Sequence, residues 1–191
     1  MTDLLLHTCC GPCSTVAVPA WRERGVEPVA WFANPNIPPA AELERRRESM
    51  RRYARTAAVE LIVPESAGES PSWAAWRDGL ATAPPEQRCA GCLGLRLEAA
   101  GAAARDLGFS RFSTTLTVSP YQRHDLIVAA GEAAADAHGV DFVYLDARDR
   151  FRDGYAESRR LGLYRQPYCG CAAGKWEAWH ERRERRGRRS A

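Results

Sequence analysis

Apolar and polar positions alternate along the chain in blocks that switch between short buried runs and longer amphipathic stretches. Leu4-Leu5-Leu6 is an uninterrupted apolar run of strand length. Ser14 to Arg24 then reads as a helix, ended by Gly25. Val29 to Phe32 and Val59 to Val63 read as further strands, separated by a charged helix from Ala40 to Ala57. The loop between Val29–Phe32 and that helix carries Pro35, Pro38 and Pro39, which remove donors and bias their predecessors away from helix. Residues 64 to 88 read as irregular, punctuated by Pro64, Pro71, Pro84 and Pro85 around a short Trp73/Trp76 segment. A helix starting near Cys89 or Cys92 and ending near Asp106 would place Leu93, Leu97 and Ala100 on one face. Phe112 to Leu116 is the next strand. Ser119-Pro120 has the form of a helix start, serine as N-cap and proline in the first turn, for a helix reaching His138. A strand over Phe142 to Leu145, a helix over Gly154 to Leu161 and a terminal helix from Ala172 complete the series.

Strands that alternate with helices predict an α/β domain with a parallel sheet and helices on both faces. Ligands in that class sit beyond the carboxyl ends of the strands. A chain of 191 residues, 45% hydrophobic and 27% charged, suits a single domain with a full core and excludes a disordered one. No apolar run approaches the roughly 18–20 residues needed to span a bilayer. The start of the chain lacks the charged leader and the apolar stretch of about 7–15 residues expected of a signal peptide. A cytoplasmic protein without a membrane partner is therefore expected.

Seven cysteines change the picture. They fall in three groups: Cys9, Cys10 and Cys13; Cys89 and Cys92; Cys169 and Cys171. An odd number without an export signal argues for thiolates used in a reducing compartment. Cys10-Gly11-Pro12-Cys13 has the form of a thioredoxin-type dithiol at a helix start, where the thiol pKa falls. The pairs at 10–13 and 89–92 could instead hold zinc, but 75 residues separate them, against about 12–20 in compact zinc sites. An iron–sulfur cluster accepts ligands from distant loops. Spacing alone leaves iron–sulfur, zinc and thiol redox open. The formal net charge of +3 is also uneven: beyond Cys171 lie Lys175, Arg182, Arg183, Arg185, Arg186, Arg188 and Arg189, against Glu177, Glu181 and Glu184. Such an end attracts a phosphate backbone or is simply solvated. A zinc-binding RNA adaptor and a thiol-redox protein on the same fold are the alternatives to an enzyme.

Four motifs in order resemble one family. They are Leu6-His7-Thr8-Cys9-Cys10-Gly11-Pro12-Cys13-Ser14; Arg88-Cys89-Ala90-Gly91-Cys92 followed by Leu95-Arg96-Leu97; Thr114 to Tyr121; and Tyr164-Arg165-Gln166-Pro167-Tyr168-Cys169-Gly170-Cys171. The chain resembles the QueH family of cobalamin-independent epoxyqueuosine reductases from about Leu4 to Lys175. The resemblance implies a Rossmann-like (HUP-type) single domain over residues 1–175; the charge pattern, outside the resemblance, adds a basic C-terminal helix or tail over 176–191. The resemblance implies reductive removal of the epoxide oxygen of epoxyqueuosine at the tRNA wobble position, giving queuosine as the last step of that modification's biosynthesis. It also implies a 4Fe-4S cluster on Cys9, Cys10, Cys89 and Cys92, with Cys13, Cys169 and Cys171 serving a second, mononuclear iron or a redox relay. The partners implied are tRNA carrying epoxyqueuosine in its anticodon and an electron donor.

His7, Tyr121 and Asp146 are the candidate catalytic residues, Asp146 as an oxygen ligand to the iron. Tyr164, Arg165, Gln166 and Tyr168 are the candidate substrate-binding residues, since planar groups with polar heads suit an unstacked base. Arg182, Arg183, Arg185 and Arg186 are candidates for the tRNA backbone. Two positions depart from the family's pattern: Ala33 stands where a tyrosine is expected, and Ala147 where an aromatic is usual. Glu42 to Arg47 is expected to be a solvent face with paired charges. Trp176 and Trp179, three apart on a helix, are expected to pack against the body.

Overall fold

The computed structural model describes residues 3–64, 71–79 and 83–187, without the side chains of residues 71, 72 and 185–187. Its centre is β1 (Leu4–His7), in which all four residues are buried. That explains the unbroken apolar run, since a strand covered on both faces has no polar side. β1 pairs in parallel with β2 (Val29–Trp31) on one side and β4 (Arg111–Thr114) on the other. The outer strands are β3 (Leu61–Ile62) and β5 (Asp141–Phe142), giving the all-parallel order β3-β2-β1-β4-β5. The expected doubly wound α/β fold is present.

Side chains alternate across the sheet with period two. Leu4 and Leu6 enter one core with Val18, Trp21, Met50 and Tyr53. These come from α1 (Gly11–Arg22) and α2 (Ala40–Ala57), and α6 (Phe151–Arg160) closes the same face through Phe151. Leu5 enters the opposite core with Leu93, Leu97, Phe112 and Ile127, from α4 (Pro85–Asp106), β4 and α5 (His124–His138). The chain also forms α3 (Pro71–Gly79) and α7 (Ala172–Gly187).

Three expectations are corrected. Part of the supposed irregular stretch is helical: α3 carries Trp73 and Trp76, and α4 begins at Pro85, ahead of Cys89. Pro85 suits a first helical turn, where its missing N–H is no loss. Cys89 and Cys92 thus lie inside a helix, three residues apart and on one face. Ser119-Pro120 does not start a helix. The Ser119 hydroxyl accepts from the Tyr121 amide at 3.3 Å, which closes a turn, and α5 begins at His124. The last expected strands are short: β4 stops at Thr114 because Thr114 Oγ1 accepts from the Leu116 amide at 3.2 Å and starts a 3-10 turn.

Candidate metal and redox site

In the order β3-β2-β1-β4-β5 the chain reverses direction of progress between β1 and β4. A crevice opens there beyond the carboxyl ends of the strands. The first cysteine group occupies it. Cys10 is the N-cap of α1, and its Sγ accepts from the Cys13 amide at 3.5 Å. The Sγ atoms of Cys9, Cys10 and Cys13 all lie within 4.8 Å of one another. Cys9 is tied to the neighbouring strand end: its amide donates to Thr115 Oγ1 at 3.0 Å, and that hydroxyl donates to its Sγ at 3.3 Å. Hydrogen bonds from Cys10 and Cys13, then Arg96 and Thr115, hold the Cys9 thiol well below its ordinary pKa. One thiolate is therefore favoured in this group before any metal is considered.

The other four cysteines come from α4 and from the loop before α7. All seven are free thiols. Burial pushes the Cys92 thiol up to about 11, opposed by Arg96, and raises Cys89 as well. The hydrogen bond from Cys169 brings Cys171 down to about 6, with further help from the Gly174 amide and Arg88. Cys171 acts electrostatically on both Cys89 and Cys92, raising each; among the described residues only Cys9, Cys10 and Cys13 bring three such ligand atoms within 4.8 Å.

Arg96 links the two halves. Its side chain is buried, its Nη2 donates to Asn34 Oδ1 at 2.7 Å, and Asn34 Nδ2 donates to the Thr8 carbonyl at 2.8 Å. Its charge favours the thiolates of Cys9, Cys92 and Cys169 alike. Arg96 was not expected as a site residue. The signal was available: it lies four and seven residues after Cys92 and Cys89, on the same face of one helix.

The loop carrying Cys169 and Cys171 is fixed from below by an ion pair that sequence reading places in solvent. Glu42 and Arg46 are 2% and 0% exposed, and this corrects the expected solvent face over 42–47. Arg46 Nε donates to Glu42 Oε1 at 2.8 Å, and Arg46 Nη1 donates to the Cys169 carbonyl at 2.9 Å. Tyr164 donates from its hydroxyl to Glu42 Oε2 at 2.7 Å. Gly170 sits at φ +156°, and a Cβ there would lie 2.7 Å from Asn36 Nδ2 and 3.0 Å from Ile37 Cγ1. Asn36 and Ile37 are both buried, so making room means displacing packed side chains. Gly170→Ala should therefore cost about 1–3 kcal/mol, as overpacking does. Urea denaturation checks the loss, and faster alkylation of Cys169 and Cys171 would report the displaced loop.

A cavity of about 400 Å³ opens beside this loop. Asn36, Trp76, Arg88, Cys171, Ala172 and Ala173 are among its lining residues. Trp76 Nε1 donates to the Arg88 carbonyl at 3.4 Å, so the indole lies against the start of the second cysteine motif. Arg88 Nη2 in turn pairs with Glu177 of α7.

The remaining expected residues are placed as follows. His7 is fully buried, with Nδ1 2.8 Å from Thr114 Oγ1, and burial followed by the Arg96 charge lowers its pKa to about 3. Tyr121 is 79% exposed on the turn before α5, edge-on to Phe151. Asp146 is exposed and tied to Arg148, whose Nε donates to Oδ1 at 2.8 Å; these hydrogen bonds take the carboxyl down to about 2. Asp146 is not among the groups gathered at Cys9, Cys10 and Cys13. Ala33 is buried in the core with Cys9, and Ala147 in the other. Arg165 stacks over Tyr155 at 4.6 Å. Arg165 Nη1, Gln166 Oε1 and the Tyr168 hydroxyl are buried without a hydrogen-bond partner among the described residues. Arg182 Nη1 donates to the Pro167 carbonyl at 3.2 Å. The side chains of Arg185 and Arg186, and residues 188–191, lie outside the described residues. No helix among the described residues is long and apolar enough to cross a membrane.

Comparison with known proteins converges on one family. The family model described as "Epoxyqueuosine reductase QueH" matches residues 4–177. A protein of that name from Dehalococcoides mccartyi is 37% identical over 177 residues, covering 91% of this chain and 93% of its own length. Its namesake from Thermotoga maritima is 33% identical over 175 residues, covering 90% and 89%. Among solved structures, a chain described as a predicted subunit of a tRNA methyltransferase from Methanocaldococcus jannaschii superposes with a TM-score of 0.55. It is 11% identical and covers 83% of this chain and 75% of its own length, a likeness of fold alone.

Proposed function

Because the chain belongs to the epoxyqueuosine reductase QueH family, we propose that it reduces epoxyqueuosine to queuosine at the wobble position of tRNA. The observation that carries this reading is the close group of Cys9, Cys10 and Cys13, their sulfurs within 4.8 Å of one another beyond β1, in a chain whose seven cysteines are all free thiols. An all-thiolate donor set drawn from distant elements suits iron–sulfur ligation. Cys9, Cys10, Cys89 and Cys92 would hold a 4Fe-4S cluster, with Cys13, Cys169 and Cys171 for a second iron or a thiol relay. When bound, such a centre supplies electrons one at a time.

Removing an epoxide oxygen as water consumes two electrons and two protons and leaves a carbon–carbon double bond. The chain's own residues provide the rest. The flipped base enters the cavity, with Trp76 as an apolar wall and Arg88 at its edge. Arg165 and Gln166 are not among the residues that line the cavity, and they enter as base-reading candidates only through their buried polar atoms, unpaired among the described residues. Tyr168, whose hydroxyl is buried without a hydrogen-bond partner among the described residues, is a further candidate in this segment. His7 is the candidate proton donor at the end of β1, its Nδ1 2.8 Å from Thr114 Oγ1 and its Nε2 without a partner among the described residues. Tyr121 and Asp146 stand on the adjoining loops as secondary candidates.

The test is an anaerobic assay of iron-reconstituted protein on tRNA containing epoxyqueuosine, with a low-potential reductant and nucleoside mass spectrometry. Queuosine should form. Fully loaded protein that leaves epoxyqueuosine unchanged overturns the activity. Five irons with four sulfides per chain would support the second iron, and four irons with full activity would remove it. A colourless protein holding only zinc after anaerobic purification would favour the RNA adaptor instead.

A further inference from the structure

The helix α7 leaves the cavity directly. Ala172 and Ala173 line the cavity, and Trp176, Trp179, His180 and Arg183 follow at spacings of three and four along one helical face. Trp176 is 63% exposed and Trp179 45%, which corrects the expectation that they pack against the body. The His180 ring lies 3.8 Å from the Trp176 ring and 4.8 Å from the Trp179 ring, centroid to centroid. Arg183 caps the row, its guanidinium 4.6 Å above Trp179. The helix is held by other groups: Glu177 pairs with Arg88, Arg182 reaches the Pro167 carbonyl, and the Lys175 amide bonds to the Cys171 carbonyl at 3.0 Å. The aromatic row is thus left outward by a helix anchored elsewhere.

Two indoles and an imidazole in contact at the surface form a contiguous patch, unlike scattered exposed apolar residues. The patch runs from the mouth of the cavity toward a segment where seven basic residues outnumber three acidic ones. A stacking row that ends in arginine matches the chemistry of single-stranded nucleic acid: bases stack on rings and phosphates pair with guanidinium. We propose that this face of α7 binds the unpaired nucleotides next to the one that enters the cavity, their bases stacked on Trp176, His180 and Trp179. Arg183 would hold a phosphate between them. This rests on the reading above that an anticodon-loop nucleotide occupies the cavity.

The two parts of the surface differ in salt dependence. A stacked base contributes roughly a ten- to hundred-fold gain in binding that salt leaves unchanged. Each phosphate contact adds about one unit to the slope of log K against log salt. Binding of a fluorescent anticodon stem–loop RNA to the full chain should be measured across a salt series. Trp176→Ala with Trp179→Ala should weaken binding at least tenfold with an unchanged slope, and Trp176→Phe with Trp179→Phe should restore most of it. Arg183→Ala should flatten the slope. Circular dichroism will show whether α7 is retained; if it melts in the alanine pair, the phenylalanine pair against Trp176→Leu with Trp179→Leu makes the same comparison. Full-strength RNA binding by the alanine or leucine pair overturns the proposal and leaves the row for a protein partner. Reduction of epoxyqueuosine by wild type is scored separately. Its absence defeats the functional reading, whereas activity with indifferent tryptophans defeats only the α7 surface.

Discussion

Arg46→Leu is expected to destabilise the protein by about 3–5 kcal/mol, because it breaks a buried ion pair, leaving Glu42 only Arg45 and Tyr164, and removes the donor to the Tyr168 and Cys169 carbonyls. Glu42 and Arg46 are both almost wholly inside, and no apolar neighbour can replace the hydrogen bonds they exchange. The same guanidinium holds the Tyr168 and Cys169 carbonyls, at 3.3 Å and 2.9 Å, and lies 4.8 Å from the Tyr168 ring. The loss should appear as a fall in Tm of roughly 6–20 °C at this chain length. Glu42→Gln with Arg46→Leu should recover part of it, since the buried charge left with only part of its compensation is gone. Burial alone would raise the pKa of Glu42, but hydrogen bonds from Arg45, Tyr164 and Arg46 outweigh it and lower it. A carboxyl lowered by folding contributes stability above its unfolded pKa and loses it as pH falls through the folded value. The gap between wild type and Arg46→Leu should therefore narrow in acid. Urea denaturation at a series of pH values measures this. A variant that melts within a degree or two of wild type would show that the pair is not the anchor of the cysteine loop.

That pair also shows what the sequence could and could not reveal. Leu4-Leu5-Leu6, the Ala40–Ala57 helix and the terminal helix at Ala172 were legible because their apolar spacing is decided locally. The start of α4 was missed because Pro84 and Pro85 read as breakers, although a proline also opens a helix. The Ser119 turn failed the other way, since a serine hydroxyl caps a turn as readily as a helix. Charge could not be read locally either. Glu42-Leu43-Glu44-Arg45-Arg46-Arg47 looks uniform, yet Glu42 and Arg46 face inward while Arg47 pairs with Glu44 outside. What separates them is the loop at 164–169, more than 100 residues away, which supplies the carbonyls and the tyrosine. The place of the first cysteine group was legible for a different reason. Three of them follow β1, and the fold class fixes where β1 ends. Trp176 and Trp179 read as core by spacing alone, and only the position of their helix relative to the cavity places them outside.

Arg96→Met should separate stability from metal binding, in opposite directions. The Arg96 guanidinium is 3% exposed, its hydrogen bond goes to the neutral Asn34, and its Nε has no partner among the described residues. A buried cation so poorly paired is costly unless anions lie near it. The groups that respond to it are Cys9, Cys92 and Cys169, each favoured as thiolate by its charge, and His7, which it helps keep neutral. The arginine thus fits a site that is anionic when complete, as a thiolate-ligated metal centre is. In metal-free protein, replacing it with an apolar side chain of similar length should leave stability unchanged or raise it. In the loaded protein the same change should weaken metal retention by about 10–100-fold, the usual cost of losing a group that supports the ligands from behind. Arg96→Lys keeps the charge without the planar fork to Asn34, and should fall between. Chelator competition gives the affinities, and denaturation of the metal-free proteins gives the stabilities. A methionine variant that holds iron as tightly as wild type would reduce Arg96 to a structural residue, and one that unfolds without metal would show that Asn34 and Thr8 depend on it for more than charge.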